Sequence, residues 1–278
     1  MSSMRRRFEH QGRMISYLEG GSAGPSPGTL VLLHAFPLAA EMWAAQLTAA
    51  VAGWRFLAPD LRGFGESSLE PPEGGSTLPA FSIDDYATDV IALLDILKVG
   101  RAVVAGLSMG GYAALAVARR AGTRVGGLVL ADTRLEADSE SARAGRDELL
   151  GVLGAGGAAA VVDRLMPGLV GATTRQSRPD VVADVRRLAG MQDPEAVRRA
   201  IHRLRDRPDS TATLEAFAGP VLIVVGAEDE VTPVDVARQM HGRAPGAAFA
   251  VIEHAGHLSN LEQPAEFNAA LGRFLASH

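Results

Sequence analysis

The sequence predicts an α/β fold: a mainly parallel sheet with helices on both faces and a helical cap inserted before the last strands. Three observations predict it. Between residues 29 and 131, short apolar runs alternate with helix-like stretches, as parallel strands joined by crossover helices do. From 133 to about 216 the alternation stops and only helical stretches follow. Strand-like runs then resume at 220–225 and 247–252. These shifts place an α/β core at 1–132 and 217–278 and a helical cap insertion at 133–216.

Taken in order, residues 8–19 read as a hairpin turning near Gln11-Gly12. Gly and Pro mark a loop over 20–28. The run Thr29-Leu-Val-Leu-Leu33 is a strand apolar on both faces. Residues 41–51 read as a helix, 54–58 as a strand, 59–67 as a glycine-punctuated loop and 71–79 as a Pro/Gly-rich excursion. A helix over 81–97 follows, with Ser82 as its N-cap and Ile83, Tyr86, Val90, Leu93, Leu94 and Leu97 at helical spacing. A strand over 102–105 leads through Gly106-Leu107-Ser108-Met109-Gly110 into a helix over 112–120, and 125–131 is the next strand. Within the cap, 138–153, 158–165, 179–188 and 194–204 are helix-like, broken by Pro167-Gly168 and the turn from Gly171. A helix over 264–276 closes the chain.

Composition narrows the function. Of 278 residues 47% are hydrophobic but only 5% aromatic, so the core is built from Ala, Val and Leu. The net charge of −5 is interspersed, which argues against a nucleic-acid or membrane partner. With no cysteine, disulfides, thiolate metal sites and a cysteine nucleophile are excluded. The basic start, 1–7, leads into no apolar signal core, and no run reaches the roughly 18 apolar residues of a membrane helix. The expected location is the cytoplasm.

The G-x-S-x-G pentapeptide between strand and helix is the context of a nucleophile elbow. A tight turn lifts Ser108 over the sheet, and the flanking glycines let strand and helix approach. The Met109 N–H, at the helix start, can donate to a developing oxyanion. The competing reading makes Ser108 a helix cap. The loop His34-Ala35-Phe36-Pro37 supplies a second donor at Phe36, since Pro37 has no N–H. His34 reads as a structural histidine, and Asp60 with Arg62 as a loop-fixing pair.

A serine nucleophile needs a base and an orienting carboxylate, both on loops at strand ends. His257 follows the last strand and Asp229 the one before, in the order Ser, Asp, His. Asp132 competes for the carboxylate role. His254 lies too close to its strand, and Glu228 is expected to face solvent. His10, His202, His241 and His278 read as peripheral. No metal site and no cofactor are expected. The many arginines from Arg134 to Arg207 read as a solvated helix face, with an anionic-substrate site as the rival.

Four motifs in order carry a resemblance: His34-Ala35-Phe36-Pro37, Asp60-Leu-Arg-Gly-Phe-Gly65, Gly106 to Gly110, and Gly256-His257. The sequence resembles the α/β-hydrolase superfamily over nearly its whole length, and within it the 3-oxoadipate enol-lactonases and small carboxylesterases, including aryl esterases with perhydrolase side activity. Leu130-Ala-Asp-Thr-Arg134 and Gly106-Leu-Ser-Met-Gly-Gly-Tyr112 are typical of the lactonase group. Pro37 stands where the perhydrolases carry a proline. Two features depart: His34-Ala35 replaces the usual His-Gly, and the cap holds no tryptophan, since Trp43 and Trp54 lie outside it. The resemblance implies an eight-stranded sheet, catalytic Ser108, Asp229 and His257, an oxyanion hole at Phe36 and Met109, and a small ester or lactone substrate. Carbon–carbon bond hydrolysis and perhydrolysis are alternatives within the class, a non-catalytic ligand receptor is the alternative outside it, and a homo-oligomer stays open.

Overall fold

In the computed structural model the described residues are 3–21, 28–49, 51–69 and 82–277. Most of the loop expected at 20–28, the excursion at 71–79, the helix start at Phe81 and His278 lie outside them. The strands are β1 (Met4–His10), β2 (Arg13–Gly21), β3 (Gly28–Leu33), β4 (Trp54–Pro59), β5 (Ala102–Leu107), β6 (Val125–Ala131), β7 (Val221–Gly226) and β8 (Ala248–Ile252). They form one eight-stranded sheet in the order β1-β2-β4-β3-β5-β6-β7-β8. From β4 to β8 every neighbouring pair is parallel, and β1 and β2 add an antiparallel edge.

The helices are α1 (Ala44–Thr48), α2 (Asp84–Ile96), α3 (Met109–Ala121), α4 (Glu140–Leu169), α5 (Ala172–Ser177), α6 (Pro179–Gly190), α7 (Pro194–Arg205), α8 (Thr211–Glu215), α9 (Val234–Gly242), α10 (Ser259–Glu262) and α11 (Pro264–Ala276). Two apolar cores sandwich the sheet. Val31, Leu33, Val104, Leu128, Leu130, Ile223 and Val225 face one of them, with α2, α3 and α9. Leu30, Leu32, Val103, Ala105, Val129, Leu222 and Val224 face the other, with α1 and α11. Successive side chains of a strand point to opposite faces, so strands apolar on both faces need a helical layer on each side.

Several elements differ from the sequence reading. The helix expected at 41–51 is a 3-10 turn, Ala40–Trp43, followed by the short α1, because Ala49 is already extended (φ −67°, ψ 113°). The short α5 and α8, and α9 between β7 and β8, were not anticipated. The helix α4 runs through Pro167, whose missing N–H falls near the helix end, where the buried Val162, Met166 and Leu169 hold the turn. By length and composition α4 is long and apolar enough to cross a membrane, against expectation. Gly157 (φ 67°, ψ −166°) breaks it into two pieces, each shorter than the about 20 residues a span needs.

The order of the sheet positions the site. The loops after β3, β5, β6, β7 and β8 all leave the carboxyl edge of neighbouring strands, where open parallel sheets bind ligands. The helices α4 to α8 lie between β6 and β7 in sequence.

Candidate active site

Ser108 alone joins β5 to α3, at φ 53° and ψ −112°. A non-glycine residue held there is strained, and the surroundings fix it. Its N–H donates to the Ala131 carbonyl (2.9 Å), and its carbonyl accepts from the Gly111 N–H (2.9 Å) and the Thr133 hydroxyl (3.0 Å). The flanking glycines are required by contact: a Cβ at Gly106 would lie 2.0 Å from the Gly110 carbonyl oxygen, and one at Gly110 would lie 2.0 Å from that of Leu33. The Ser108 side chain makes no capping hydrogen bond, which removes the rival reading. Its Oγ lies 2.8 Å from His257 Nε2.

The loop after β8 carries His257, whose Nδ1 lies 2.8 Å from Asp229 Oδ2. Asp229, on the loop after β7, is itself held: Oδ1 accepts from the N–H groups of Val231 (2.8 Å) and Thr232 (2.9 Å), and Oδ2 accepts from the Thr232 hydroxyl (2.6 Å). Burial opposes ionisation of Asp229, yet the facing His257 and the bonds from Thr232 keep the carboxyl below its ordinary value. The structure thus brings Ser108, His257 and Asp229 together as one chain of contacts. Phe36 is buried on the loop after β3, its ring edge-on to Phe64, and Met109 is the first residue of α3. Among the described residues neither Phe36 nor Met109 meets a protein acceptor at its backbone N–H.

Asp132 does not join the chain. Its carboxyl accepts from the Gly226 N–H (2.8 Å) and from the Ser259 hydroxyl (2.5 Å). Burial, and then the charge of Asp229, push it well above the usual carboxylate range. His254 is exposed, and His10, His202 and His241 are half-buried on other elements. Glu228 faces solvent only in part: half-buried, it accepts from the Thr173 N–H (2.8 Å) and from the Thr173 hydroxyl. Asp60 and Arg62 are not a pair. Asp60 accepts from Arg5 (2.6 Å) and from the N–H groups of Ala40 and Glu66, and Arg62 forms a fork with Asp89 through two 2.7 Å bonds.

His34 holds backbone. Nδ1 donates to the Ala35 carbonyl (3.0 Å), and Nε2 accepts from the Leu61 N–H (3.0 Å), a role only the neutral ring can fill. Burial lowers its pKa below the ordinary value, although the Ala35 carbonyl and Asp60 oppose the shift. The unfolded chain, titrating near 6.5, therefore takes up this proton before the folded one does. Stability from this site is full above about pH 6.5 and falls as pH drops from there toward the folded value, by at most about 1.4 kcal/mol per pH unit. Urea midpoints between pH 7 and 5 should show this slope, and His34→Ala should flatten it. Equal slopes would assign the titration elsewhere.

The arginines after β6 are not all solvated. Arg203 is buried against Asp85 (2.8 Å) and over the Tyr86 ring, and Arg207 against Asp138 (2.5 Å) and 4.1 Å over the Tyr112 ring. A cavity of about 340 Å³ is lined by Tyr112, one helical turn along α3 from Ser108, and by Arg134, Arg146, Arg164, Arg207 and Val231, but by none of Ser108, Asp229 and His257. The aromatic lining absent from the cap sequence is supplied by α3. Thr133, Thr232 and Glu262 were missed by sequence reasoning, because a hydroxyl or carboxyl in a loop carries no periodic signal.

Comparison with known proteins gives a consistent result. The family model described as the alpha/beta hydrolase fold matches residues 28–264. A dihydrolipoyllysine-residue acetyltransferase component of an acetoin cleaving system from Pseudomonas putida is 31% identical, over 98% of this chain and 69% of that protein. A 3-oxoadipate enol-lactonase from Acinetobacter baylyi is 29% identical over 83% of this chain and 82% of its own length. The solved structure of a thermophilic esterase from Thermogutta terrifontis superimposes with a TM-score of 0.89 at 32% identity, over 98% of both chains. With a family match across most of its length, and the sheet order and site loops that go with it, this chain belongs to the alpha/beta hydrolase fold family.

Proposed function

We propose that this hydrolase cleaves the ester or lactone bond of a small carboxylic substrate through an acyl-enzyme on Ser108. The observation that carries the reading is the unbroken chain Ser108 Oγ, His257 and Asp229, with both contacts at 2.8 Å. His257 Nε2 takes the Ser108 proton as Oγ attacks the carbonyl carbon. The carbonyl oxygen gains negative charge and is met by the N–H groups of Phe36 and Met109. Asp229 keeps the Nδ1 proton in place and balances the imidazolium. His257 then protonates the leaving oxygen, and water repeats the sequence on the acyl-enzyme. These residues supply each proton and charge that acyl transfer needs, so the reading calls on no cofactor. In this reading residues 133–216 are a cap over the site, and the substrate is met in the cytoplasm.

A second reading, a lactonase for anionic lactones, is favoured by the cavity. Asp138 pairs with both Arg146 and Arg207, whereas Arg134 reaches only the Val231 carbonyl and Arg164 makes no hydrogen bond or ion pair with a described residue. Two guanidinium groups are thus open to a carboxylate.

One experiment tests both readings. p-Nitrophenyl esters from acetate to decanoate are compared with the hemiglutarate ester. The chain-length optimum sizes the acyl pocket. A lower KM for the hemiglutarate than for butyrate, lost in Arg164→Ala, would favour the anionic lactone. No nitrophenol from any ester would overturn the esterase reading and leave a narrow lactonase, a carbon–carbon bond hydrolase or the receptor.

A further inference from the structure

Glu262, the last residue of α10, is fully buried, and among the described residues no cation pairs with it. Three backbone N–H groups converge on its carboxyl group. Oε1 accepts from Gly256 (2.9 Å) and from Leu258 (3.1 Å), the residues on either side of His257. Oε2 accepts from Gly171 (2.8 Å), which opens α5 in the segment between β6 and β7. The two loops touch backbone to backbone. A Cβ at Gly256 would lie 2.3 Å from the Gly171 nitrogen, and one at Gly171 would lie 2.8 Å from the Gly256 nitrogen. Glu228, beside Asp229, grips the same turn two residues on, at Thr173. A single turn of the inserted segment is therefore held by two carboxyl groups, one beside the orienting acid and one astride the base.

We propose that Glu262 is a positioning residue for His257, and that through Gly171 it couples the placement of the base to the docking of the inserted helices. This rests on reading His257 as the base. The imidazole is aimed by its ring contacts to Ser108 and Asp229, but both contacts require the backbone on either side to stay in place. A group that accepts at both oxygens suits three converging donors. An amide offers one acceptor oxygen and sets its NH₂ against at least one backbone N–H. Loosening the insertion's turn removes one bond from Glu262 and frees the loop that carries the base.

The test compares wild type with Glu262→Gln and Glu262→Asp on p-nitrophenyl acetate, with thermal melts and amide hydrogen exchange beside the kinetics. Glu262→Gln should remain folded and lose about ten- to a hundredfold in kcat, the scale of a misplacement near 1 Å. KM should change little, since the loss falls on the transition state. Glu262→Asp, with acceptors on a shorter stem, should recover part of the rate. In Glu262→Gln the amides of Gly171, Gly256 and Leu258 should exchange faster together, while Val231 and Thr232, bound to Asp229, keep their protection. The proposal is overturned by unchanged kcat per folded molecule, by a change confined to KM, or by exchange at Gly256 and Leu258 that leaves Gly171 unaffected. Absence of turnover in the wild type would instead defeat the esterase reading, and the exchange measurement would still report on the three-way clamp.

Discussion

Ser108→Ala is expected to lower kcat for a short-chain p-nitrophenyl ester about 10⁶-fold, the scale found when a triad nucleophile is removed. The fold should survive. The strained position of residue 108 is held through its backbone, by Ala131, Gly111 and Thr133, and alanine keeps all three contacts. The serine hydroxyl does no structural work as a cap, so what is lost is its bond to His257. An intact melting curve beside vanished turnover, and loss of labelling by a fluorophosphonate, would check this. Retention of more than about a hundredth of the wild-type rate would show that another group attacks the carbonyl.

Asp229→Asn should cost about 10⁴-fold in kcat with little change in stability, and the hydrogen bonds explain why. The oxygen of asparagine is claimed by the N–H groups of Val231 and Thr232, which both donate to Oδ1. The amide NH₂ is then turned toward His257 Nδ1, which becomes an acceptor, and the ring proton moves to Nε2. A ring protonated at Nε2 cannot take the proton of Ser108. Raising the pH does not restore the tautomer, so the loss should persist across the profile. Assays of the variant from pH 6 to 9 would show this. Recovery at high pH would mean that Asp229 acts through its charge alone. Asp132→Asn should fall far short of this loss, because its carboxyl bonds Gly226 and Ser259.

For the orienting acid the sequence favours Asp229, with Asp132 as its rival, since both follow a strand. The structure separates them by what surrounds each. Asp229 meets two N–H groups, a hydroxyl and an imidazole, and its charge is supported. Asp132 is buried next to that charge and is pushed toward its neutral form.

The sequence by itself determined the sheet and the elbow and nominated Ser108, Asp229 and His257 as the candidate triad, because each is written locally. Strands covered on both faces show as continuous apolar runs, and the elbow shows as glycines two residues either side of a serine, at the spacing that contact with Gly110 and Leu33 demands. The order Ser, Asp, His follows once each loop is assigned to its strand. The tertiary structure alone decided which partner each polar loop residue takes. Asp60 goes to Arg5 and not to Arg62, Glu228 to Thr173, Glu262 to Gly171 and the backbone beside His257, and Arg207 onto Tyr112. A buried carboxyl or guanidinium is compelled to find partners, but compulsion does not name them. Apart from the Gly256 and Leu258 N–H groups that Glu262 meets, those partners lie tens of residues away in the chain, where no helical or strand period reaches, and they are set by how the loops and helices fold back over the sheet edge.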